Sequence, residues 1–418
     1  MAPSFVATLA WHRIFHVSGD VVVSRISTPP RRISSCATSR LWDLSWRPVR
    51  CRNMVVPRPP GCEGLTLHLW FDTLREGLGG MMVDYRNAVL FGLRHGMVLH
   101  LPSNDSNLVK GTHTNNMATL MYLGLIGSNE DAPLSAIPIS PSNDPFKTVR
   151  IACQSASKLA KQTLHFQIKM KPRDYDGRAK FAEQYLNASA LACTRPWMLQ
   201  QFLVAQGGSW PWADSPYQRH SDGRDVHIAV HHRRGDIVHK GHPDTMRAIS
   251  DALTSNLVNH ITMTLRTVWG EDIRVCVHLY HEESKENLLD LDKSPSKLNF
   301  STKCVKYHGM DLLGTFKGLI FADVVVGGGS SLFWTVMSYT RAINVVTMNG
   351  VCMDTRWTCG KYVPGSTPFQ TLVRINEQVP WPYNPNHGSL YHIDLNELAS
   401  LAHCQRQLAN LTLRLGSA

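Results

Sequence analysis

The densest group of chemically active side chains in this sequence of 418 residues is the segment His-His-Arg-Arg-Gly-Asp at positions 231–236. Apolar residues over 226–231 predict a strand that ends where this segment begins. Arg233 and Arg234 suit a phosphate group, because a guanidinium is always charged and donates to two oxygens in a planar fork. Asp236 can orient an arginine or bind a sugar hydroxyl. A salt-bridged surface turn is the alternative interpretation of the segment taken alone.

A second candidate site follows an almost wholly apolar strand predicted over 323–326, which runs into three glycines and two serines. A helix is predicted to begin at Ser331, and the backbone N–H groups of such a corner form an anion site. Its candidate ligand-binding residues are Gly328, Gly329, Ser330 and Ser331. The spacing differs from that of a phosphate-binding P-loop, because no Gly-Lys-Ser/Thr follows. Tight packing of the strand on the helix is the alternative reason for the glycines.

The N-terminal half opens with a strand–turn–helix–strand pattern. Alternating residues predict a strand over 65–71, glycines mark a turn over 72–80, and three- and four-residue spacing predicts a helix over 81–95. A second strand is predicted over 97–101, and a βαβ unit of this kind builds a parallel sheet. The candidate site residues of the turn are Glu76, Gly79 and Gly80.

The remaining pattern alternates strands with helices, which predicts an α/β fold. Further strands are predicted over 148–153, 163–170, 273–280, 304–308 and 343–347, and further helices over 115–125, 175–190, 196–205, 244–268, 284–291, 310–320, 331–339 and 394–415. A linker is predicted over 206–225. We therefore expect two doubly wound, Rossmann-like domains over 61–222 and 223–418 that face a cleft, with ligand at the carboxyl ends of the strands.

Residues 1–60 form a separate leader, because they hold nine arginines and two aspartates and so supply +7 of the net charge of +11. This composition is typical of a disordered extension or an organellar targeting segment. The rest of the chain has no basic run interleaved with aromatic residues, so we expect no nucleic-acid partner.

The two motifs together resemble those of the GDP-fucose-dependent fucosyltransferases, which comprise the α1,2-, α1,6- and protein O-fucosyltransferases. The segment 231–236 resembles their His-x-Arg-x-Gly-Asp signature, and the tract 321–340 resembles their later strand, serine-rich turn and helix. The turn 76–80 resembles their N-terminal glycine-rich loop. The resemblance implies a GT-B architecture and a GDP-fucose donor substrate without a further cofactor. It covers about 65–102 and 225–348.

The resemblance also implies roles for individual residues. Arg233 would grip the diphosphate and stabilise the leaving GDP, and Arg234 matches a second arginine of the α1,2 and α1,6 branches. Glu76 would act as the general base. The residues that would help to hold the donor are Asp236, Ser330 and Ser331, with His231 as a hydrogen-bonding partner in the motif. The chain departs from the family where Met81-Met82 replace the usual polar pair.

The resulting prediction is an inverting, metal-independent transfer of fucose to a hydroxyl of a glycan or protein in the secretory pathway (Golgi or endoplasmic reticulum). Use of another nucleotide sugar, or binding of a sugar nucleotide or glycan without catalysis, remains open. The Asp-x-Asp strings at 174–176 and 290–292 do not close apolar strands, so no metal site is predicted from them.

The cysteine and sequon patterns leave the compartment open. The ten cysteines allow either a loop closed by Cys352 and Cys359 or scattered buried thiols. The four Asn-x-Ser/Thr sequons are about as many as chance supplies.

Overall fold

The computed structural model describes residues 60–71, 78–102, 116–127, 132–140, 144–158, 162–168, 188–232, 251–281, 298–308, 312–328, 330–349, 370–375 and 391–416. These residues form two separate β-sheets with helices packed against them. The predicted α/β class is confirmed. The leader over 1–60 and the helices predicted over 175–190 and 284–291 lie wholly or largely outside the described residues.

The first sheet has four parallel strands in the order β2-β1-β4-β3. They are β1 (Thr66–Phe71), β2 (Val98–His100), β3 (Ile137–Ile139) and β4 (Thr163–Ile168). Strand β1 alternates because one face is buried: Leu67 and Leu69 lie in the core, whereas His68 is half-buried on the other face. The predicted strands over 65–71 and 97–101 are confirmed with small changes at their ends, and the strand predicted over 163–170 is confirmed as far as Ile168, the last described residue there.

The second sheet has seven strands in the order β11-β10-β9-β8-β5-β6-β7. They are β5 (Asp225–His232), β6 (Arg274–His281), β7 (Cys304–His308), β8 (Val324–Gly328), β9 (Ile343–Asn349), β10 (Gln370–Ile375) and β11 (Tyr391–His392). All adjacent pairs are parallel except β10 with β11. The six parallel strands follow the order 3-2-1-4-5-6 of a Rossmann-like sheet.

The helices are α1 (Leu78–Arg94), α2 (Asn116–Tyr122), α3 (Pro145–Lys158), α4 (Ala188–Ala205), α5 (Asp251–Trp269), α6 (Leu312–Phe321), α7 (Ser331–Met337) and α8 (Leu395–Gly416). None of these described helices combines the length and the apolar character needed to cross a bilayer. Helices α5 and α8 contact one another on one face of the second sheet, and α6 and α7 lie on the other. Burial on both faces explains why β8 consists of valine and glycine alone.

The strand predicted over 148–153 is wrong, because these residues lie inside α3. Asp144 caps this helix by accepting a hydrogen bond from the N–H of Lys147 at 3.1 Å. Pro145 occupies the first helical position, where its missing N–H costs nothing. The buried residues of the helix, Val149, Ala152, Cys153 and Ala156, recur at three- and four-residue intervals. A six-residue window was too short to reveal that period.

One apolar cluster continues from the first half of the chain into the second. The rings of Phe202 and Tyr339 lie 5.9 Å apart, and Arg195 donates from Nη2 to the carbonyl oxygen of Thr340 at 3.2 Å. The segment predicted to link the halves also contributes, because Tyr217 donates its hydroxyl to the carbonyl of Gly318 at 2.5 Å. The halves are therefore packed against one another. The predicted domain boundaries and the cleft between domains stay predictions.

Two disulfides connect distant parts of the described chain. Cys62 is bonded to Cys153, across 91 residues, and Cys276 is bonded to Cys304, across 28 residues. Cys404 is disulfide-bonded as well. The interpretation of these described cysteines as scattered thiols is wrong, whereas Cys352 and Cys359 lie outside the described residues.

We expect the bridge between Cys62 and Cys153 to stabilise the protein more than the bridge between Cys276 and Cys304. The entropy of loop closure is worth about 4.6 kcal/mol for the longer loop and about 3.6 kcal/mol for the shorter one. Urea denaturation of the double-alanine variant of each pair measures the two losses. Equal losses, or a larger loss for the shorter loop, would contradict this ranking.

Candidate functional site

The strands that lead into the two sequence motifs are neighbours at the point where the strand order of the second sheet reverses. Strands β5 and β8 are adjacent, with Ile228 opposite Val324 and Val230 opposite Val326. Adjacent strands lie about 4.8 Å apart, so the ends of β5 at His232 and of β8 at Gly328 emerge side by side. In open α/β sheets this reversal point, at the carboxyl ends of the strands, is where ligands bind.

The residues predicted to carry most of the chemistry directly follow these strand ends. Arg233, Arg234 and Asp236 continue the chain from β5, and Gly329 continues it from β8. All four lie outside the described residues. Their neighbours along the chain nevertheless place the start of both segments at one edge of the sheet.

The glycines at the end of β8 have a packing role. A β-carbon on Gly328 would lie 1.9 Å from the carbonyl oxygen of Thr347 on β9, and one on Gly327 would lie 2.6 Å from the ring of Phe333. Both distances are far below any van der Waals contact, so only glycine lets β8 approach β9 and α7 this closely. Packing of the strand on the helix, the alternative interpretation, therefore accounts for Gly327, and packing of β8 against β9 accounts for Gly328.

The serines lie where β8 turns into α7. Ser330 is the N-cap residue, with extended backbone at φ −120° and ψ 129°, and its side chain does not cap the helix. It is fully buried. Ser331 is the first residue of α7, so the free N–H groups of the first helical turn lie at the same edge as the end of β5.

The last two residues of β5 contact the two helices α7 and α5. His231 is 4% exposed, and its ring is stacked against that of Phe333 with centroids 6.4 Å apart. His232 Nε2 lies 3.4 Å from Asp251 Oδ1, and both side chains are buried. Asp251 is the first described residue of α5, so this contact joins the end of β5 to the adjacent helix. Sequence reasoning missed Asp251, because no spacing along the chain relates it to His232.

Gly79 and Gly80 were predicted to lie in a turn over 72–80. The structure places them in α1, whose described residues begin at Leu78. Gly79 and Gly80 thus belong to the first turn of this helix, and Gly79 is buried. Met81 and Met82 are 1% and 2% exposed and pack in the core that joins the two halves. Glu76 lies outside the described residues.

Beneath the site, three histidines form a chain of hydrogen bonds across β5, β6 and β7. His227 Nδ1 lies 3.0 Å from His278 Nε2, and His278 Nδ1 lies 2.9 Å from His308 Nε2. At one end His227 Nε2 lies 3.1 Å from the carbonyl oxygen of Gln218. Sequence reasoning missed this chain, since it joins residues 51 and 30 positions apart.

The carbonyl at the end of the chain determines the tautomers. A carbonyl oxygen only accepts, so His227 donates from Nε2 and accepts at Nδ1 from His278. His278 in turn accepts at Nδ1 from His308. Burial, together with His227, His308 and Lys306, lowers the pKa of His278 to about 3, and burial lowers the pKa of His227 despite the attraction of Asp323. Both rings are therefore neutral near pH 7.

Within the part of the chain that the structure describes, no group of three or more His, Cys, Asp or Glu side chains is arranged to hold a metal ion. The Asp-x-Asp strings at 174–176 and 290–292 lie outside that part.

Comparison with known proteins leaves the family open. No protein-family model matches the chain, and no curated protein matches it. Among solved structures, a mutant of Arabidopsis thaliana FUT1 in complex with GDP is similar over 76% of this chain and 80% of that chain, with 9% identity and a TM-score of 0.30. Because that TM-score does not establish a common fold, the proposed function rests on the residues and topology of this chain.

We expect the histidine chain to make stability depend on pH. His278 titrates near 6.5 when unfolded and at about 3 when folded, so the unfolded state binds one more proton between these values. Its contribution to stability is complete above pH 6.5 and falls by up to about 1.4 kcal/mol per pH unit below it.

Urea denaturation between pH 7 and pH 4 measures this slope. The variant His278→Gln should make the loss of stability smaller by up to about 1.4 kcal/mol per pH unit, because it removes the histidine that binds the extra proton on unfolding. An unchanged slope in His278→Gln would show that the buried chain does not carry the effect.

Proposed function

We propose that this chain is a glycosyltransferase that transfers fucose from GDP-fucose to a hydroxyl of a glycan or protein, with inversion and without a metal ion. The observation that carries the proposal is the topology of the second sheet. Strands β5 and β8 are neighbours at the reversal of strand order, and the arginine pair and the glycine–serine corner follow their carboxyl ends. Two segments suited to phosphate therefore begin at one ligand-binding edge.

The chemistry of glycosyl transfer suits this arrangement. Cleavage of the sugar–phosphate bond leaves negative charge on the diphosphate of the departing nucleotide. Fixed guanidiniums of Arg233 and Arg234, together with the N–H groups of the first turn of α7, can stabilise that charge. We assign to Asp236, Ser330 and Ser331 the holding of the sugar nucleotide. Because Ser330 is fully buried, its hydroxyl would act from within the corner rather than from an open surface.

The acceptor hydroxyl must lose a proton as it attacks the sugar from the face opposite the leaving group. A carboxylate is suited to this task, and direct displacement inverts the configuration. We assign this role to Glu76, which lies two residues before α1. The second half of the chain would hold the donor, and the first half would bind the acceptor.

The secretory pathway is the compartment that we propose for this activity. The described disulfides, Cys62–Cys153 and Cys276–Cys304, support an oxidising environment, because thiols are kept reduced in the cytosol.

A second candidate function is binding of a sugar nucleotide or glycan without catalysis. The observation that favours it is the pair Met81-Met82, which is buried in the core where the fucosyltransferases carry a polar pair. Measurement of GDP release from GDP-fucose with a mixture of acceptors separates the two functions. Acceptor-dependent release supports transfer, and GDP binding without release supports the binding protein.

Nucleotide binding tests the donor class. GDP at about 100 times its dissociation constant should stabilise the fold by about 2.7 kcal/mol and raise the Tm by a few degrees. UDP should produce no comparable shift, since the proposed donor carries guanine. Differential scanning fluorimetry of the full chain with each nucleotide measures both shifts. Equal shifts would exclude a guanine-specific site and favour another nucleotide sugar.

The role of Arg233 is tested by its alanine variant. Loss of a guanidinium that stabilises the leaving diphosphate should lower kcat/KM at least 100-fold, or about 3 kcal/mol. Arg224→Ala is the matched control. Arg224 lies just before the first residue of β5, at the end of the strand opposite the candidate site, and forms a salt bridge with Asp272 at 2.7 Å. Near-normal turnover in Arg233→Ala, or equal losses in both variants, would refute the assigned role.

A further inference from the structure

One of the four Asn-x-Ser/Thr sequons, Asn299-Phe300-Ser301, has an asparagine whose side chain the structure describes. Asn299 and Ser301 are exposed, whereas Phe300 between them is partly buried and packs against the apolar core of the second sheet. The tripeptide therefore presents its acceptor amide and its hydroxyl to solvent and is anchored by its middle residue.

Helix α5 holds the backbone of this tripeptide in place. The N–H of Asn299 donates to Ser255 Oγ at 3.0 Å. Asn259 donates from Nδ2 to the carbonyl oxygen of Asn299 at 3.0 Å and accepts at Oδ1 from the N–H of Ser301 at 2.7 Å. The backbone groups are thus bound by the helix, and the Asn299 side chain forms no hydrogen bond that the structure shows among the described residues.

The cysteines supply an independent observation. The described chain contains no free cysteine, and Cys276 is bonded to Cys304, which lies five residues after Asn299. Disulfides form and persist in the oxidising compartments of the secretory pathway, and those compartments also attach glycans to exposed sequons.

We infer that Asn299 is an N-glycosylation site, an inference that does not depend on the proposed function. In the modification, a lipid-pyrophosphate-linked oligosaccharide is the co-substrate of the host enzyme. A bond forms between Asn299 Nδ2 and the anomeric carbon of the oligosaccharide, and the bond from that carbon to the pyrophosphate oxygen breaks. The amide loses one proton to the host enzyme's base, and the lipid pyrophosphate leaves with the bonding electrons.

The position of the glycan has a physical consequence for the sheet. Strand β7 is the last strand in the order of the second sheet and pairs with β6 within the described residues. Tyr307 on this edge is 60% exposed. Exposed edges invite pairing with other chains, and a hydrated glycan on the segment that leads into β7 would hinder such pairing.

The full chain expressed in a secretory eukaryotic host tests the inference. Trypsin cleaves after Lys297 and Lys303 and releases a peptide in which Asn299 is the single asparagine. Treatment with peptide N-glycosidase in heavy-oxygen water should convert Asn299 to a labelled aspartate. On a denaturing gel, the variants Asn299→Gln and Ser301→Ala should each migrate as proteins that carry one glycan fewer than the wild type.

Ser301→Thr is the matched control and should retain the glycan, because threonine preserves both the sequon and the N–H that donates to Asn259. Ser301→Ala keeps that N–H as well, so its loss of glycan does not reflect a lost contact with α5. Thiol labelling verifies that Cys276 and Cys304 remain bonded in every variant. An unlabelled peptide, or the same number of glycan steps in all four proteins, would overturn the inference.

Discussion

The pairing of β5 with β8 is the constraint on which the rest of the second half depends. These strands are distant in sequence, yet Val230 lies opposite Val326 in a parallel ladder. The pairing reverses the strand order and so creates the edge at which two chain segments diverge to opposite sides of the sheet. Every role that we propose for the arginines and for the glycine–serine corner requires this adjacency, because a diphosphate can be shared only by loops that start a few ångströms apart.

Close packing around this pairing leaves little freedom at its edge. Gly328 has no space for a side chain because of the carbonyl oxygen of Thr347, and the buried side chains of His232 and Asp251 lie 3.4 Å apart. A ligand-binding group is effective when its support is rigid. These buried contacts thus hold the last residues of β5 and β8, from which the two candidate ligand-binding segments start, in one geometry.

Several elements predicted from sequence match the structure closely. The predicted strand over 304–308 matches β7, and the predicted helix over 331–339 differs from α7 mainly at its end. Prediction failed at α3, where a strand was expected over 148–153, because the cap at Asp144 and the full helical period lay outside that short window. It also placed Gly79 and Gly80 in a turn, since clustered glycines usually mark turns and glycine is a poor helix former.

For the candidate site, sequence alone determined which residue types could bind a diphosphate and that each group follows a strand, because these properties are local. It did not determine that β5 and β8 are neighbours, that Asp251 reaches His232, or that His227, His278 and His308 form one hydrogen-bonded chain. Those relations depend on the order and register of strands in the sheet. Tertiary structure alone decides them, since hydrogen bonds between strands bring together residues that no spacing along the chain relates.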